Sequence, residues 1–347
     1  MTHERQLWYT RCPLPTASGI ALDAGILQRS LKRIGCTIDT IEASSDTQAR
    51  KSHFTHGTPK LFRQGGNIPP IWARSRGADT ALVGIAWTPE YQAILARPDS
   101  GIRTLADLRH RRFGVPVRTS GEIDFWRAMC LRGYDSALRL AGLTLADVEL
   151  VELPVQEPYI ASNKGDEQAG WMWAGEARMR RQQAEVYAFI RNEVDVIYTS
   201  GAQGLQLRAL LNAAEIVELG FNNDPTISLN NQVPNLLTVD AALADEHPEI
   251  IVEYLYALRE AARWAQENKE EANRTCAREV GSPEEWITPA YRNSASHALT
   301  LSLDEKLIRA VENQKNFLLQ HGFITHDFEL SQWINMKPLQ LLATREI

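Results

Sequence analysis

The 347-residue chain is 44% hydrophobic and 23% charged, an ordinary globular balance with length enough for two lobes that each bury a core. Its net charge of −6 argues against a nucleic-acid partner, which calls for a basic face, but leaves room for a local arginine pocket on a small anion. No apolar run approaches the roughly 20 residues of a membrane span, and the N-terminal stretch lacks a secretory apolar core. The four cysteines (Cys12, Cys36, Cys130, Cys276) are far apart, without a C-x-x-C pair, and no His/Asp/Glu cluster has metal-ligand spacing. The expectation is a cytoplasmic monomer with reduced thiols, no membrane or nucleic-acid partner, no metal and no cofactor.

In chain order, residues 6–11 predict a short strand, and one helix is expected from Thr16 or Ser18 to about Ile34, with Ile20, Leu22, Ile26, Leu27, Leu31 and Ile34 near a 3.6 period. Residues 36–41 alternate like a second strand. From His53 to Pro70 the breakers Gly57, Pro59, Gly65, Gly66, Pro69 and Pro70 predict loops with helix fragments. Strands are expected at 81–87, 91–97, 112–116, 148–153 and 194–198, and helices at 124–140 and 175–192. Thr104 and Asp107 have the spacing of a capping box. Beyond about residue 240 the pattern is helical, with Ile251, Tyr254, Leu255, Leu258, Ala262 and Trp264 along one face and a second long helix over 304–321. Alternating β and α predict an α/β protein with parallel sheets covered by helices.

Chemistry-bearing residues gather at the front. Cys12 follows Tyr9-Thr10-Arg11 and precedes Pro13-Leu14-Pro15; His53 and the run Arg63-Gln64-Gly65-Gly66 follow within some fifty residues. A thiol, an imidazole, a guanidinium and main-chain N–H groups freed by glycine suit work on a small anion. Each residue also has a plain structural reading: Cys12 as a small buried hydrophobe, His53 as a loop histidine on a carbonyl, Arg63 as an ion-pair partner, Gly65-Gly66 as a turn. Arg118-Thr119-Ser120-Gly121 could offer N–H groups to an anion, although a helix N-cap explains it as well. Trp72, Trp87, Trp126, Trp171 and Trp173 are candidates for an aromatic pocket, although most read as core, and Trp171-Met172-Trp173 is a candidate lid.

At these residues the chain resembles a known family. Residues 97–100, 104–108 and 112–115 look like the lobe-crossing segment of substrate-binding proteins for nitrate, sulfonate and thiamine-precursor uptake. Tyr9-Thr10-Arg11-Cys12-Pro13-Leu14-Pro15, His53-Phe54-Thr55 and Arg63-Gln64-Gly65-Gly66-Asn67-Ile68-Pro69-Pro70 resemble the active-site segments of the 2′-hydroxybiphenyl-2-sulfinate desulfinase family.

The resemblance implies a two-lobe, type II periplasmic-binding-protein-like fold with the site in the inter-lobe cleft. Lobe I would comprise residues 1–92 and 200–347, and lobe II residues 93–199. It implies an aryl sulfinate substrate whose C–S bond is cleaved to release sulfite. Cys12, His53 and Arg63 would be catalytic, Arg63 also gripping the sulfinate, with Thr10 (where a serine is expected), Gly65, Gly66 and Tyr134 (for a pocket tryptophan) binding substrate. Thr199 to Gly204 stands where the family carries tryptophans. Cys12 acts either as proton donor to the ring carbon or as nucleophile on sulfur, a choice the sequence leaves open. The alternative is a non-catalytic sulfonate- or sulfinate-binding protein of an uptake system.

Overall fold

The computed structural model describes residues 5–119, 121–160 and 181–345, and what it describes is two five-stranded sheets with helices packed around them. The first sheet is formed by β1 (Arg5–Arg11), β2 (Cys36–Thr40), β3 (Leu61–Gly66), β4 (Thr80–Ala86) and β10 (Asn235–Asp240), in the order β2-β1-β3-β10-β4. The second holds β5 (Gln92–Ala96), β6 (Arg112–Arg118), β7 (Glu149–Val155), β8 (Val196–Ser200) and β9 (Ala214–Glu218), in the order β7-β6-β8-β5-β9.

Both sheets are mixed rather than wholly parallel. β1 pairs parallel with β2 and β3, and β6 with β7, as βαβ connections require; β10 runs antiparallel to β3 and β4, and β5 antiparallel to β8 and β9. Each antiparallel strand lies beside one of the two crossings between sheets, at residues 87–91 and 219–234. The return crossing therefore lies later than expected: Ala214–Glu218 still belongs to the second sheet, so that lobe extends to about residue 218 and not 199.

Most expected elements form, with instructive exceptions. The single helix expected over 16–34 is two, Ala17–Asp23 and Ile26–Lys32, because Gly25 takes the left-handed conformation (φ 66°) between them. The breaker-rich stretch 53–70 is regular: a helix over Thr47–Thr55, strand β3, and a helix over Ile68–Ser75 with proline in its first turn, where no N–H is needed. The capping box forms at Thr104 and Asp107. Of the helix expected over 175–192, Gln183–Ile190 is seen and residues 175–180 lie outside the described residues, as does the candidate lid Trp171–Trp173.

The long helix Pro248–Glu267 buries Ile251, Tyr254, Leu255 and Leu258, an i, i+3, i+4, i+7 stripe, against the two N-terminal helices. Each buried Ile or Leu there contributes roughly 1.5–3 kcal/mol. The ring of Tyr254 stacks on Phe62 of β3 at 4.0 Å, and its hydroxyl meets Ser18 Oγ at 3.0 Å. This helix thus backs β3, one of the strands that carry the candidate site, and the helix that follows β1. No described helix is long and apolar enough to cross a membrane.

Candidate active site

β1 and β3 lie side by side in parallel, with Thr10 level with Arg63 and Arg11 level with Gln64. Residues level across adjacent strands share a face, so the Thr10 and Arg63 side chains project together. The chain leaves β1 at Cys12, whose N–H still donates to Gln64 O at 3.2 Å and so fixes the thiol at the strand's end. The helix Thr47–Thr55 brings His53 over the same face. Thr10, Cys12, His53 and Arg63 are all buried, at 0–3% exposure, and they touch one another.

Three groups converge on the sulfur. Arg63 Nη2 donates to Cys12 Sγ at 3.4 Å, the Gly66 N–H donates at 3.3 Å, and His53 Nε2 lies at 3.5 Å. Arg63 is held from two further sides, its Nε–H donating to His53 O at 2.8 Å and Nη1 to Gly66 O at 2.9 Å. Three of its five N–H groups are thereby used among the described residues; one remains on each terminal nitrogen, the fork that suits a sulfinate or carboxylate.

Burial, the nearby Arg63 cation and His56 together hold the His53 pKa well below the usual histidine range, so the ring is neutral. Burial also lowers the Arg63 pKa, with Cys12 beside it acting the other way; a guanidinium starts so high that it stays charged. His53 Nδ1 lies 2.8 Å from Thr10 Oγ1. With the threonine hydroxyl donating to Nδ1, the ring proton sits on Nε2 and points at sulfur; with Nδ1–H donating to threonine, Nε2 is free to accept from the thiol. The same three atoms therefore serve thiol or thiolate by a tautomer change alone.

The glycines act differently from the loop expected for them. Gly65 and Gly66 close β3, and a Cβ on Gly65 would lie 2.6 Å from Cys12 Sγ, so only glycine lets the thiol rest on the strand. A Cβ on Gly66 would lie 2.4 Å from the Asn231 amide nitrogen. Tyr134 is not brought to this cluster: its hydroxyl donates to Gly114 O at 2.6 Å and accepts from the Tyr198 N–H at 3.1 Å. It is a fully buried core residue of the second lobe, and the correction follows from both hydrogen bonds being spent on backbone.

The helix cap lies beyond the Arg118–Gly121 stretch rather than in it, and Ser120 is outside the described residues. Asp124 caps the helix Phe125–Leu140 by accepting from Arg127 N, and it also accepts from Arg118 N at 2.7 Å. Trp126 is core, donating from its indole to Glu185, and Trp72 and Trp87 are partly buried. His56 caps the helix Thr47–Thr55 with φ 55°, and its pKa is pushed down to about 3 by burial and Arg63. Cys36, Cys130 and Cys276 are buried without such a cradle, and burial raises each thiol, Cys276 to about 12. Among the described residues no group of three His, Cys, Asp or Glu could hold a metal.

Sequence reasoning missed the segment Asn230-Asn231-Gln232. Asn231 Oδ1 accepts from Ile68 N at 3.0 Å and its main-chain O from Asn67 N at 2.7 Å, bracing the turn after Gly66. Asn230 Nδ2 donates to Glu90 Oε1 at 2.9 Å and to the Tyr198 hydroxyl at 3.2 Å, tying the site to the second lobe. Three consecutive amides before the apolar strand β10 were the available signal. Glu90, 3% exposed on the other crossing, has its carboxyl pushed up to about 7 by burial.

No family model matches the chain. The 2′-hydroxybiphenyl-2-sulfinate desulfinase of Rhodococcus erythropolis is 26% identical over 94% of this chain and 90% of its own length. The chain resembles that desulfinase over nearly its whole length. Among solved structures, a cysteine-to-serine mutant of DszB in complex with biphenyl-2-sulfinic acid superposes with a TM-score of 0.75, at 24% identity and 99% coverage of both chains. The sulfonate-binding protein SsuA of Methylobacillus flagellatus KT gives 0.73, at 14% identity, covering 99% of this chain and 96% of its own. The fold is therefore the α/β, periplasmic-binding-protein-like one that the desulfurization enzyme and the sulfonate-binding proteins have in common.

Proposed function

We propose that the protein is an aryl sulfinate desulfinase that cleaves the C–S bond of an aromatic sulfinate and releases sulfite and the arene. The observation that carries this reading is the convergence of the Arg63 Nη2–H, the Gly66 N–H and His53 Nε2 on Cys12 Sγ within 3.3–3.5 Å. Sulfinate oxygens would take the two uncommitted Arg63 N–H groups, which sets the ring carbon toward the thiol.

The net reaction adds water: the ring carbon gains a hydrogen and sulfur gains a hydroxyl. In the route favoured here, Cys12 gives its proton to the carbon bearing sulfur, and the C–S electron pair returns to the ring. Sulfur dioxide leaves, is hydrated to bisulfite, and that hydration returns a proton to the thiolate by way of His53. The donors on Sγ stabilise the thiolate formed in the first step. The opposite route, thiolate attack on sulfur, would expel an aryl carbanion, a far poorer leaving group.

A sulfonate- or sulfinate-binding protein is the second reading, and the likeness to SsuA favours it. Incubation with 2′-hydroxybiphenyl-2-sulfinate and simpler aryl sulfinates, with sulfite and arene both quantified, separates the two. Stoichiometric sulfite and arene are expected. Ligand bound but unconsumed across the panel would replace the desulfinase reading with the binding one.

A further inference from the structure

We infer that the second lobe positions His53: Phe125 and Tyr159 seat the ring of Phe54, the residue next to His53, and so fix the imidazole at Cys12. The inference rests on the desulfinase reading and adds to its site positioning residues from across the lobe boundary.

His53 and Phe54 are consecutive on the helix Thr47–Thr55, so their side chains leave it roughly 100° apart. The imidazole meets Thr10 and Cys12 of the first lobe. The Phe54 ring instead meets the second lobe, with its centre 6.2 Å from Phe125 and 5.9 Å from Tyr159 at interplanar angles of 30° and 28°. Phe125 and Tyr159 pack on each other at 4.3 Å. Phe54 also meets the His53 ring edge-on, at 5.2 Å and 79°. All three phenyl-type rings are buried, and aromatic neighbours at such separations hold preferred angles, so the orientation of the seat passes through Phe54 to the imidazole. One turn earlier on the same helix, Lys51 Nζ lies 3.3 Å from Glu122 Oε1 of the second lobe.

The seat itself is held firmly. The Tyr159 hydroxyl donates to Asp124 Oδ1 at 2.8 Å and accepts from Arg118 Nη1 at 3.1 Å and from the Trp126 N–H at 3.2 Å. One proton given and two lone pairs filled is the full capacity of a phenol hydroxyl. The Arg118 guanidinium carbon stands 4.4 Å from the centre of the Tyr159 ring, and its Nε–H donates to Glu157 O at 3.2 Å. Arg118, considered from sequence beside an anion site, therefore spends its side chain on this seat. An ordinary core contact joins elements of one lobe; this one joins both lobes, beside the residue whose Nε2 must meet Cys12 Sγ.

The test combines sulfite-release kinetics with NMR of the ligand-free protein labelled with ¹⁵N at histidine. Burial, then Arg63 and His56, hold His53 neutral, so its ring should not titrate between about pH 5 and 8 in the wild type. Tyr159→Ala removes the seat and admits water. His53 should then titrate near its ordinary value, and kcat should fall about tenfold with KM little changed. Tyr159→Phe keeps the ring and should restore a silent His53, with kcat within about threefold of wild type. Glu122→Lys sets a cation against Lys51 and leaves the rings untouched; it carries the test if Tyr159→Ala does not fold, with kcat down about threefold and His53 titrating. A His53 that stays silent in the folded variants would overturn the inference, as would a loss in Tyr159→Phe equal to that in Tyr159→Ala. The NMR reading needs no turnover, so a His53 that responds in a protein releasing no sulfite would sink the desulfinase reading and spare the positioning one.

Discussion

Around Cys12 the first lobe buries a guanidinium and a neutral imidazole, whereas the second lobe and its crossing bury two carboxyls, Glu185 and Glu90. Exposure is similar, 0–3% for the site residues and 1–3% for the two acids, but the treatment of charge is opposite. In the first cluster the fixed positive charge of Arg63 helps hold His53 neutral, and donors face an atom that can bear negative charge. In the second, burial pushes both carboxyls up to about 7, so near neutral pH each is partly protonated despite hydrogen bonds from Asn230 and Trp126. Burial alone therefore does not make an anion site. What distinguishes the Cys12 cradle is that its donors converge on one atom.

Replacing the donor that brings the charge should break the contrast most severely. Arg63→Lys keeps a cation but loses the fork that spans His53 O, Gly66 O and Sγ. A fall in kcat/KM of on the order of 10²-fold is expected in steady-state sulfite release, the scale of losing one preorganised donor. A change under threefold would mean that charge without geometry suffices.

A smaller effect should follow from loosening the imidazole. Thr10→Val removes the hydroxyl on His53 Nδ1 and leaves both tautomers without their anchor. About tenfold is expected in kcat with KM little changed, equivalent to one hydrogen bond. An effect confined to KM would instead place Thr10 in substrate binding. Because His53 is neutral throughout the working range, no acid limb near pH 6.5 should appear in the wild-type rate profile.

The smallest effect on turnover, and a clear one on stability, belongs to the second cluster. The Glu185 carboxyl is raised to about 7 from 4.5, so the folded chain binds more protons than the unfolded one between those values. Stability should therefore be highest below pH 4.5 as far as this group is concerned, fall as pH rises to 7, and stay low above it. The full span is roughly 3 kcal/mol. Glu185→Gln should flatten that segment of the pH–stability curve in denaturant melts, with sulfite release within about twofold of wild type. A curve as steep as wild type would show that the carboxyl is not the source.

Periodic elements were legible where local pattern and tertiary demand agree. The stripe from Ile251 to Leu258 and the runs that became β4 and β6 needed only their own neighbours to be read. The stretch 53–70 was not legible, because its glycines and prolines carry two meanings. Gly65 serves a strand whose backbone must touch Cys12, and Pro69 and Pro70 sit in a helix's first turn; neither fact exists until β1 and β3 are paired. β9, short and half-buried, and β10, entered from the amide run at 230–232, depend likewise on the crossings. Cys12, His53, Arg63 and Gly66 were legible together from their resemblance to the desulfinase segments. Tyr134 was not placed correctly, because a buried tyrosine bonded to backbone has the same residue type as one facing a ligand.

The most direct test of the central claim, that the cradle exists to serve Cys12 chemistry on a sulfinate, is Cys12→Ser measured for binding and turnover side by side. An accepted aryl sulfinate should still bind within about threefold of wild type, since Arg63 keeps its two uncommitted N–H groups, while sulfite release falls by at least about 10³-fold. Turnover retained in Cys12→Ser would contradict it.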